Sequence, residues 1–177
     1  MNSCNTKNCL RTKHEFSDFL WFFAIGWMPV LVACLAIASS SLLWVPVYLG
    51  VMFFLGVVEI RFLCSHCHYY RQETGKIVYC KSMWGPTKWA KPRQGPLSSF
   101  DKTILFSFLI LAFSFPIYWL VPQPKFLVIY LLSAVIMLVT LARYECNRCM
   151  FFDCPFNRVS KEAKADFLRN DVDESNL

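Results

Sequence analysis

The stretch FLWFFAIGWMPVLVACLAIASSSLLWVPVYLGVMFFLGVV, residues 19–58, contains no Asp, Glu, Lys, Arg or His. As a single helix, these 40 residues would extend for about 60 Å at about 1.5 Å per residue. The hydrocarbon core of a bilayer is only about 30 Å thick. The stretch therefore predicts two membrane-spanning helices, residues 19–38 and 42–62, joined by a tight turn at the serines 39–41.

A second apolar block, residues 103–142, is interrupted only by Pro122-Gln123-Pro124-Lys125. Prolines two residues apart disfavour a continuous helix, and a lysine is costly in lipid. The block therefore predicts spans at 103–121 and 126–142. Hydrophobic residues form 56% of the chain and charged residues 17%, below the roughly one quarter typical of soluble domains. We expect an all-α membrane protein with four transmembrane helices, in one domain made of residues 1–177.

The positive charges predict the orientation of these spans. Every lysine and arginine except Lys125 lies before the first span, between the second and third, or after the fourth. The positive-inside rule then places both termini, the loop 64–102 and the tail 143–177 on the cytoplasmic face of the cell's inner membrane. The net charge of +6 belongs to that face, where it meets anionic headgroups. The expected partners are membrane lipid and another membrane protein, and not nucleic acid.

An internal repeat follows the second and fourth spans. The chain reads Arg61-Phe62-Leu63-Cys64-Ser65-His66-Cys67-His68-Tyr69-Tyr70 in the first half and Arg143-Tyr144-Glu145-Cys146-Asn147-Arg148-Cys149-Met150-Phe151-Phe152 in the second. Both segments have an arginine, an aromatic residue, two cysteines separated by two residues, and a final aromatic pair. One more cysteine follows each, Cys80 or Cys154. The repeat predicts two pseudo-symmetric hairpins, related by an axis along the membrane normal, under a cysteine-rich cytoplasmic cap.

Six cysteines in two motifs, C-x2-C-x12-C and C-x2-C-x4-C, are the candidate metal ligands: Cys64, Cys67, Cys80, Cys146, Cys149 and Cys154. Two C-x2-C turns supply the four soft ligands that tetrahedral zinc or iron prefers. The final Cys154-Pro155 partly matches the cysteine run of bacterial ferredoxins, so an iron–sulfur cluster stays open beside zinc. Structural disulfides are disfavoured in a reducing cytoplasm, whereas thiol redox chemistry through a C-x-x-C pair remains an alternative.

Other residues add less to the predicted site. Cys34 lies in the first span, where it is expected to act as a small apolar residue. Four more residues stay open as ligands: Cys4, Cys9, His66 and His68. The sequence contains no hydrolytic constellation, phosphate loop or nucleotide fingerprint, so no catalytic residue is assigned. The spans carry few polar groups, which argues against a small transporter.

Several motifs resemble a family of small prokaryotic four-span membrane proteins of unassigned function, over about residues 60–160. They are Cys64-x-His66-Cys67-x-Tyr69-Tyr70, Gly85-Pro86-x-Lys88-Trp89-x-Lys91, Gly95-Pro96-Leu97-Ser98 and Cys146-x2-Cys149-x2-Phe152-x-Cys154-Pro155-x-Asn157-x-Val159. The resemblance implies that the cysteine pattern belongs to the fold, and it implies no activity. From spacing and compartment, we expect a cysteine-ligated zinc or iron–sulfur site in a structural or scaffold component of a membrane assembly. Iron–sulfur electron transfer and thiol redox activity are the alternatives.

Overall fold

Four long apolar helices run through the chain, as its two charge-poor blocks predict. The computed structural model describes residues 10–11, 14–67, 69–70, 77–80, 82–88, 90–93 and 95–175. Within them, four helical segments are long and apolar enough to cross a membrane: Phe16–Ser40, Trp44–His66, Ser99–Leu120 and Pro124–Arg148. At most 28% of the most apolar window of any of these segments is buried inside the protein. Most of their apolar side chains therefore face outward, where lipid is a suitable solvent and water is not.

The α-helical parts of these segments are α1 (Phe16–Ser40), α2 (Trp44–Val58), α3 (Ser99–Ser114), the short α4 (Ile117–Leu120) and α5 (Pro124–Thr140). Both α2 and α5 continue without a break through a π-helical turn into a 3-10 turn. These extensions are Glu59–Leu63 with Cys64–His66, and Leu141–Glu145 with Cys146–Arg148. A polar helix, α6 (Lys161–Ser175), follows the last span.

The helices extend beyond the spans predicted at 103–121 and 126–142. Helix α3 begins at Ser99, because Ser98 and Asp101 form a capping box in which the Asp101 amide donates to Ser98 Oγ at 3.1 Å. Helix α5 begins at Pro124, where the fixed φ of proline suits the first turn. Charged residues mark the edge of the apolar block but do not end a helix, so predictions from charge alone come out short.

A β-hairpin in the central loop departs from the all-α prediction. Strands β1 (Ile77–Cys80) and β2 (Met83–Thr87) pair antiparallel, with Cys80 opposite Met83. Val78 and Cys80 are buried, and the residues that alternate with them are exposed. Gly85, which follows in β2, has a φ of +93°, a value that glycine adopts without strain. A strand of four residues is too short for its alternation to stand out among the turn residues around it.

The four spans pack as a bundle in which α1 lies against α5 and α2 lies against α3. Helix α1 also contacts α2 and α4. Small side chains on α1, Ala33 and Ala36, are fully buried and allow the neighbouring helices to approach closely. The buried cluster around them consists of Val30, Ala33, Ala36, Ile37, Tyr48, Leu120 and Tyr130.

We name the two ends of the bundle by their contents. The cysteine end carries the extensions Cys64–His66 and Cys146–Arg148, and the opposite end carries the turns after α1 and before α5. At the opposite end, Gln123 Nε2 donates to the Ala36 carbonyl at 3.1 Å and to Ser40 Oγ at 3.0 Å, and its Oε1 accepts from Ser39 Oγ at 2.9 Å. The turns predicted at the serines and at Pro-Gln-Pro are therefore present and are joined to each other.

Candidate functional site

The two C-x2-C motifs have nearly the same backbone conformation. Leu63 has φ −106° and ψ −57°, and its counterpart Glu145 has φ −102° and ψ −54°. Each first cysteine then begins a 3-10 turn, and each second cysteine leaves it in an extended conformation, with ψ 137° at Cys67 and 127° at Cys149. The repeat in the sequence is therefore also a repeat in local structure.

The three cysteines of the first half come together beneath α2. The β-hairpin folds back onto the end of that span, and Cys64 and Cys67 pack against a buried cluster of Tyr70, Val78, Cys80 and Ala90. The Tyr70 hydroxyl donates to the Ala90 carbonyl at 2.9 Å, which fastens the segment after β2 over this cluster. Cys64, Cys67 and Cys80 are free thiols. The three cysteines of this half therefore share one packing cluster.

In the second half, Cys146 begins the 3-10 turn, and Cys149 and Cys154 lie in the loop after it, which Asn157 holds together. Its side-chain Nδ2 donates to the carbonyls of Cys149 and Phe151, both at 2.9 Å, and its Oδ1 accepts from the Val159 amide at 3.0 Å. No role was predicted for Asn157, which belongs to the motif that begins at Cys146. The loop turns back on itself, and the backbone amide of Asn157 donates to the Cys154 carbonyl at 3.0 Å.

Tyr69 connects the two halves at the cysteine end. Its hydroxyl donates to the Arg11 carbonyl and accepts from the Met150 amide at 3.3 Å, and its side chain is almost fully buried. The Arg11 amide donates to the Arg148 carbonyl at 3.0 Å, so that the backbone of Arg11 runs beside Cys149 as in a parallel β-sheet. The arm before α1 therefore packs against the second motif, an arrangement that the sequence did not predict.

Cys67 lies where the two groups of cysteines meet. It is close enough to Cys80 and to Cys149 for a negative charge on either to act on it, and burial, followed by these two neighbours, raises the pKa of the Cys67 thiol. That thiols from the two distant stretches share one site stays a prediction, and the electrostatic effect of Cys149 on Cys67 favours it. Cys154 lies in the Asn157-bound loop on the Cys149 side, and Cys146 begins the 3-10 turn that precedes this loop.

The thiols are soft ligands of the kind that zinc and iron prefer, so the donor set fits these metals. Among the described residues, however, no three His, Cys, Asp or Glu side chains already converge closely enough to hold one ion. An ion would therefore have to draw the sulfurs together by side-chain rotation around Cys67. The structure brings candidate donors near one another without forming a finished cage.

His66 contacts the segment that leads into α3, and its role as a ligand stays open. Its Nδ1 donates to the Gly95 carbonyl at 3.0 Å, and its Nε2 lies 3.8 Å from Asp101 Oδ2. Arg93 Nη1 approaches the other oxygen of Asp101 at 3.7 Å, and the Arg93 amide donates to the Ser65 carbonyl at 2.8 Å. Both ring nitrogens of His66 thus face the start of α3, so His66 fixes that helix against the end of α2.

The remaining sequence candidates have simpler outcomes. Cys34 packs against the buried cluster of the bundle, as expected for a small apolar residue. Cys4, Cys9 and His68 lie outside the described residues.

Neither a family model nor a curated protein nor a solved structure matches the chain. The resemblance to small prokaryotic membrane proteins therefore stays a prediction, and the geometry of the cysteine end alone supports a functional proposal.

Proposed function

We propose that this protein is a four-span membrane protein whose cysteine end binds zinc or an iron–sulfur cluster. The ligands come from the six motif cysteines: Cys64, Cys67, Cys80, Cys146, Cys149 and Cys154. In this proposal the bound group ties the central loop to the segment after the fourth span, and the protein acts as a structural or scaffold component of a membrane assembly.

The position of Cys67 carries the proposal. It packs with Cys64 against the cluster that contains Cys80, and it is also within electrostatic range of Cys149. Three separate chain segments thus contribute thiols to one region. Thiolate ligation of a structural ion contributes on the order of 10 kcal/mol to folding. That is sufficient to order a loop whose own apolar cluster contains only a few side chains.

Thiol redox activity is less well supported by the same region. A reactive cysteine needs an exposed thiolate whose pKa is lowered by a neighbouring cation or a helix start. Burial instead raises the pKa of Cys67. A buried thiol with a raised pKa is a poor nucleophile but still ionises when a metal replaces its proton.

The proposal also includes an orientation and an internal symmetry. The positive charges favour a cytoplasmic cysteine end, with both termini on the cytoplasmic side of the cell's inner membrane. An axis along the membrane normal would exchange α1 with α3 and α2 with α5. It would therefore exchange the α1–α5 contact with the α2–α3 contact, the two main contacts between the hairpins. This agreement and the matched φ and ψ values of the two motifs support two pseudo-symmetric hairpins.

Elemental analysis of the full-length protein, purified in mild detergent without chelator, tests the proposal. We expect about one equivalent of zinc or iron per chain, or more for a cluster. Iron with absorbance near about 400 nm would assign the cluster and favour electron transfer, whereas colourless protein with zinc would assign the structural ion. Less than about half an equivalent of either metal contradicts the proposal.

A matched pair of variants separates the site from general thiol binding. Cys67→Ser removes the thiol at the centre of the region, and Cys34→Ala removes a thiol that packs inside the bundle. We expect the first variant to lose most of its metal and the second to keep it. Equal metal content in both variants would place the metal elsewhere.

A further inference from the structure

Two basic cavities repeat at the cysteine end, in addition to the cysteines. Arg61 and Arg143 hold the same position in the internal repeat, three residues before the first cysteine of each motif. Both also lie on the π-helical turns that extend the second and fourth spans, Glu59–Leu63 and Leu141–Glu145. Each arginine is therefore held at the last turn of an apolar helix, where that helix leaves the lipid.

Each of these arginines lines a shallow cavity together with a segment that folds back towards it. The Arg143 cavity has a volume of about 360 Å³ and is lined by Ala142, Arg143, Asn147 and Arg158. The Arg61 cavity has a volume of about 350 Å³ and is lined by Arg61, Ala90, Lys91 and Arg93. Backbone hydrogen bonds position the returning segments, from the Arg158 amide to the Cys146 carbonyl at 3.0 Å and from the Arg93 amide to the Ser65 carbonyl at 2.8 Å.

Among the described residues, most of the positive charges in these cavities have no ion-pair partner. Within the described part of the chain, Arg61, Lys91, Arg143 and Arg158 form no ion pair with a carboxylate. Arg93 differs, because its guanidinium lies 3.7 Å from Asp101. The Arg143 cavity thus combines one side-chain amide with two guanidinium groups, neither of which pairs with a described carboxylate. Such a set matches the oxygens of a phosphate, to which arginine donates in a bidentate manner.

Apolar surface continues directly from the Arg143 cavity along the fourth span. Leu138 lies one helical turn before Ala142 and is 59% exposed, and the neighbouring Val139 is 48% exposed. A ligand that occupied both regions would have an anionic head and an apolar chain. A free phosphate ion would use only the first region.

We propose that the two cavities bind the phosphate groups of anionic phospholipids, and that the Arg143 cavity is the stronger site. The guanidinium groups of Arg143 and Arg158 contact the headgroup phosphate, and the acyl chain lies along Leu138. The inference requires the spans to be in a membrane, but it does not depend on a bound metal. It can therefore fail while the proposed metal site stands, and the reverse also holds.

Native mass spectrometry of the full-length protein in detergent tests the inference with phosphatidylglycerol and phosphatidylcholine of identical chains. We expect phosphatidylglycerol to bind more tightly, and Arg143→Gln with Arg158→Gln to weaken it by about fivefold for each arginine, roughly 25-fold in total. Binding of phosphatidylcholine should not change. Equal affinities of the wild-type protein for the two lipids would overturn the proposal.

Two further variants distinguish a specific site from general charge. Lys161→Gln with Arg169→Gln removes the same net charge from α6, outside both cavities, and should leave phosphatidylglycerol binding within about twofold of wild type. An equal loss in this control overturns the proposal. Arg143→Lys with Arg158→Lys keeps both charges and the membrane orientation but removes the bidentate donors, so binding should weaken by several fold. Unchanged binding in the lysine variant would contradict the guanidinium contact.

A final arm separates lipid from free anion. Inorganic phosphate at millimolar concentration should not displace phosphatidylglycerol from the wild-type protein, because the ion lacks the contact along Leu138. Displacement by phosphate, together with binding of phosphate in its place, would overturn the assignment to lipid.

Discussion

Removing a single oxygen atom from Tyr69 tests whether the two cysteine motifs depend on each other. The Tyr69 hydroxyl is the hydrogen-bond link from the first motif to the Met150 amide of the second and to the Arg11 carbonyl of the arm. The change Tyr69→Phe keeps the ring, which packs against His14 with the ring centres 4.5 Å apart, and removes only the hydroxyl. The Met150 amide and the Arg11 carbonyl then both lose their hydrogen bond to this hydroxyl.

The expected cost is about 1–3 kcal/mol, the usual penalty for leaving a buried polar group unsatisfied. We would measure it as the change in the free energy of unfolding of the detergent-solubilised protein. The matched control is Tyr79→Phe, because Tyr79 lies in the nearby β-hairpin, is 40% exposed, and its hydroxyl has no hydrogen-bond partner among the described residues.

The same variant should also weaken metal binding if the motifs share a site. The lost contact misaligns Cys149 relative to Cys67, and any energy needed to restore that alignment is subtracted from the binding free energy. A decrease in zinc affinity of about tenfold would correspond to about 1.4 kcal/mol of that cost. If Tyr69→Phe and Tyr79→Phe have the same stability and the same metal affinity, the two motifs are not coupled through Tyr69 and this reasoning is wrong.

Three further predictions concern other parts of the fold. Burial raises the pKa of the Cys67 thiol above the value of about 8.5 in an unfolded chain. The thiol therefore stabilises the metal-free protein below that pH, and this contribution is lost as the pH rises. In chelator-treated protein, the free energy of unfolding should fall with increasing pH by at most about 1.4 kcal/mol per pH unit because of this thiol, and Cys67→Ala should reduce that fall. Asp101→Ala removes the side-chain oxygen that accepts from the Ser98 amide at 3.4 Å and the carboxylate facing His66 and Arg93, and should lower the free energy of unfolding by about 2 kcal/mol, whereas Asp101→Asn should cost less because its amide oxygen still accepts from Ser98. Gln123→Ala breaks the hydrogen bonds to the end of α1 and should cost about 1–2 kcal/mol in thermal unfolding without changing metal content, since it lies at the opposite end of the bundle.

The sequence predicted the spans well because their signal is long and one-dimensional. An absence of charge over 40 residues determines how often the chain can cross a bilayer, whatever the packing. The prolines around Gln123 similarly located the turn before α5. Neither signal shows that Gln123 bonds to Ser39 and Ser40, because those residues are distant in sequence and a glutamine in a turn is otherwise unremarkable.

The site was predicted less completely, for physical reasons that particular residues illustrate. The repeat predicted that Cys67 and Cys149 approach each other, but Tyr69 looked like one of many aromatics, and a hydroxyl bond between distant segments leaves no local pattern. His66, next to Cys67, has the position of a ligand, but its Nδ1 donates to the Gly95 carbonyl, and its Nε2 lies 3.8 Å from a carboxylate oxygen of Asp101, beyond hydrogen-bond distance. Short-range spacing identifies residue types suited to a chemistry, whereas tertiary contacts decide which of them are available for it.

A comparison of the two halves indicates which features a common role requires. Both keep the arginine at the span end, the π-helical turn, the 3-10 turn and the pair of cysteines in the same conformation. The third cysteine is supplied differently, by a β-hairpin at Cys80 and by the Asn157-bound loop at Cys154. A β-hairpin in one half and a loop in the other thus present a cysteine below the same kind of turn. Packing alone does not readily explain this agreement, because packing would not require sulfur in both halves. Under the proposed metal site, a shared demand for thiol donors would explain the common part, and the freedom to meet that demand with any compact loop would explain the difference.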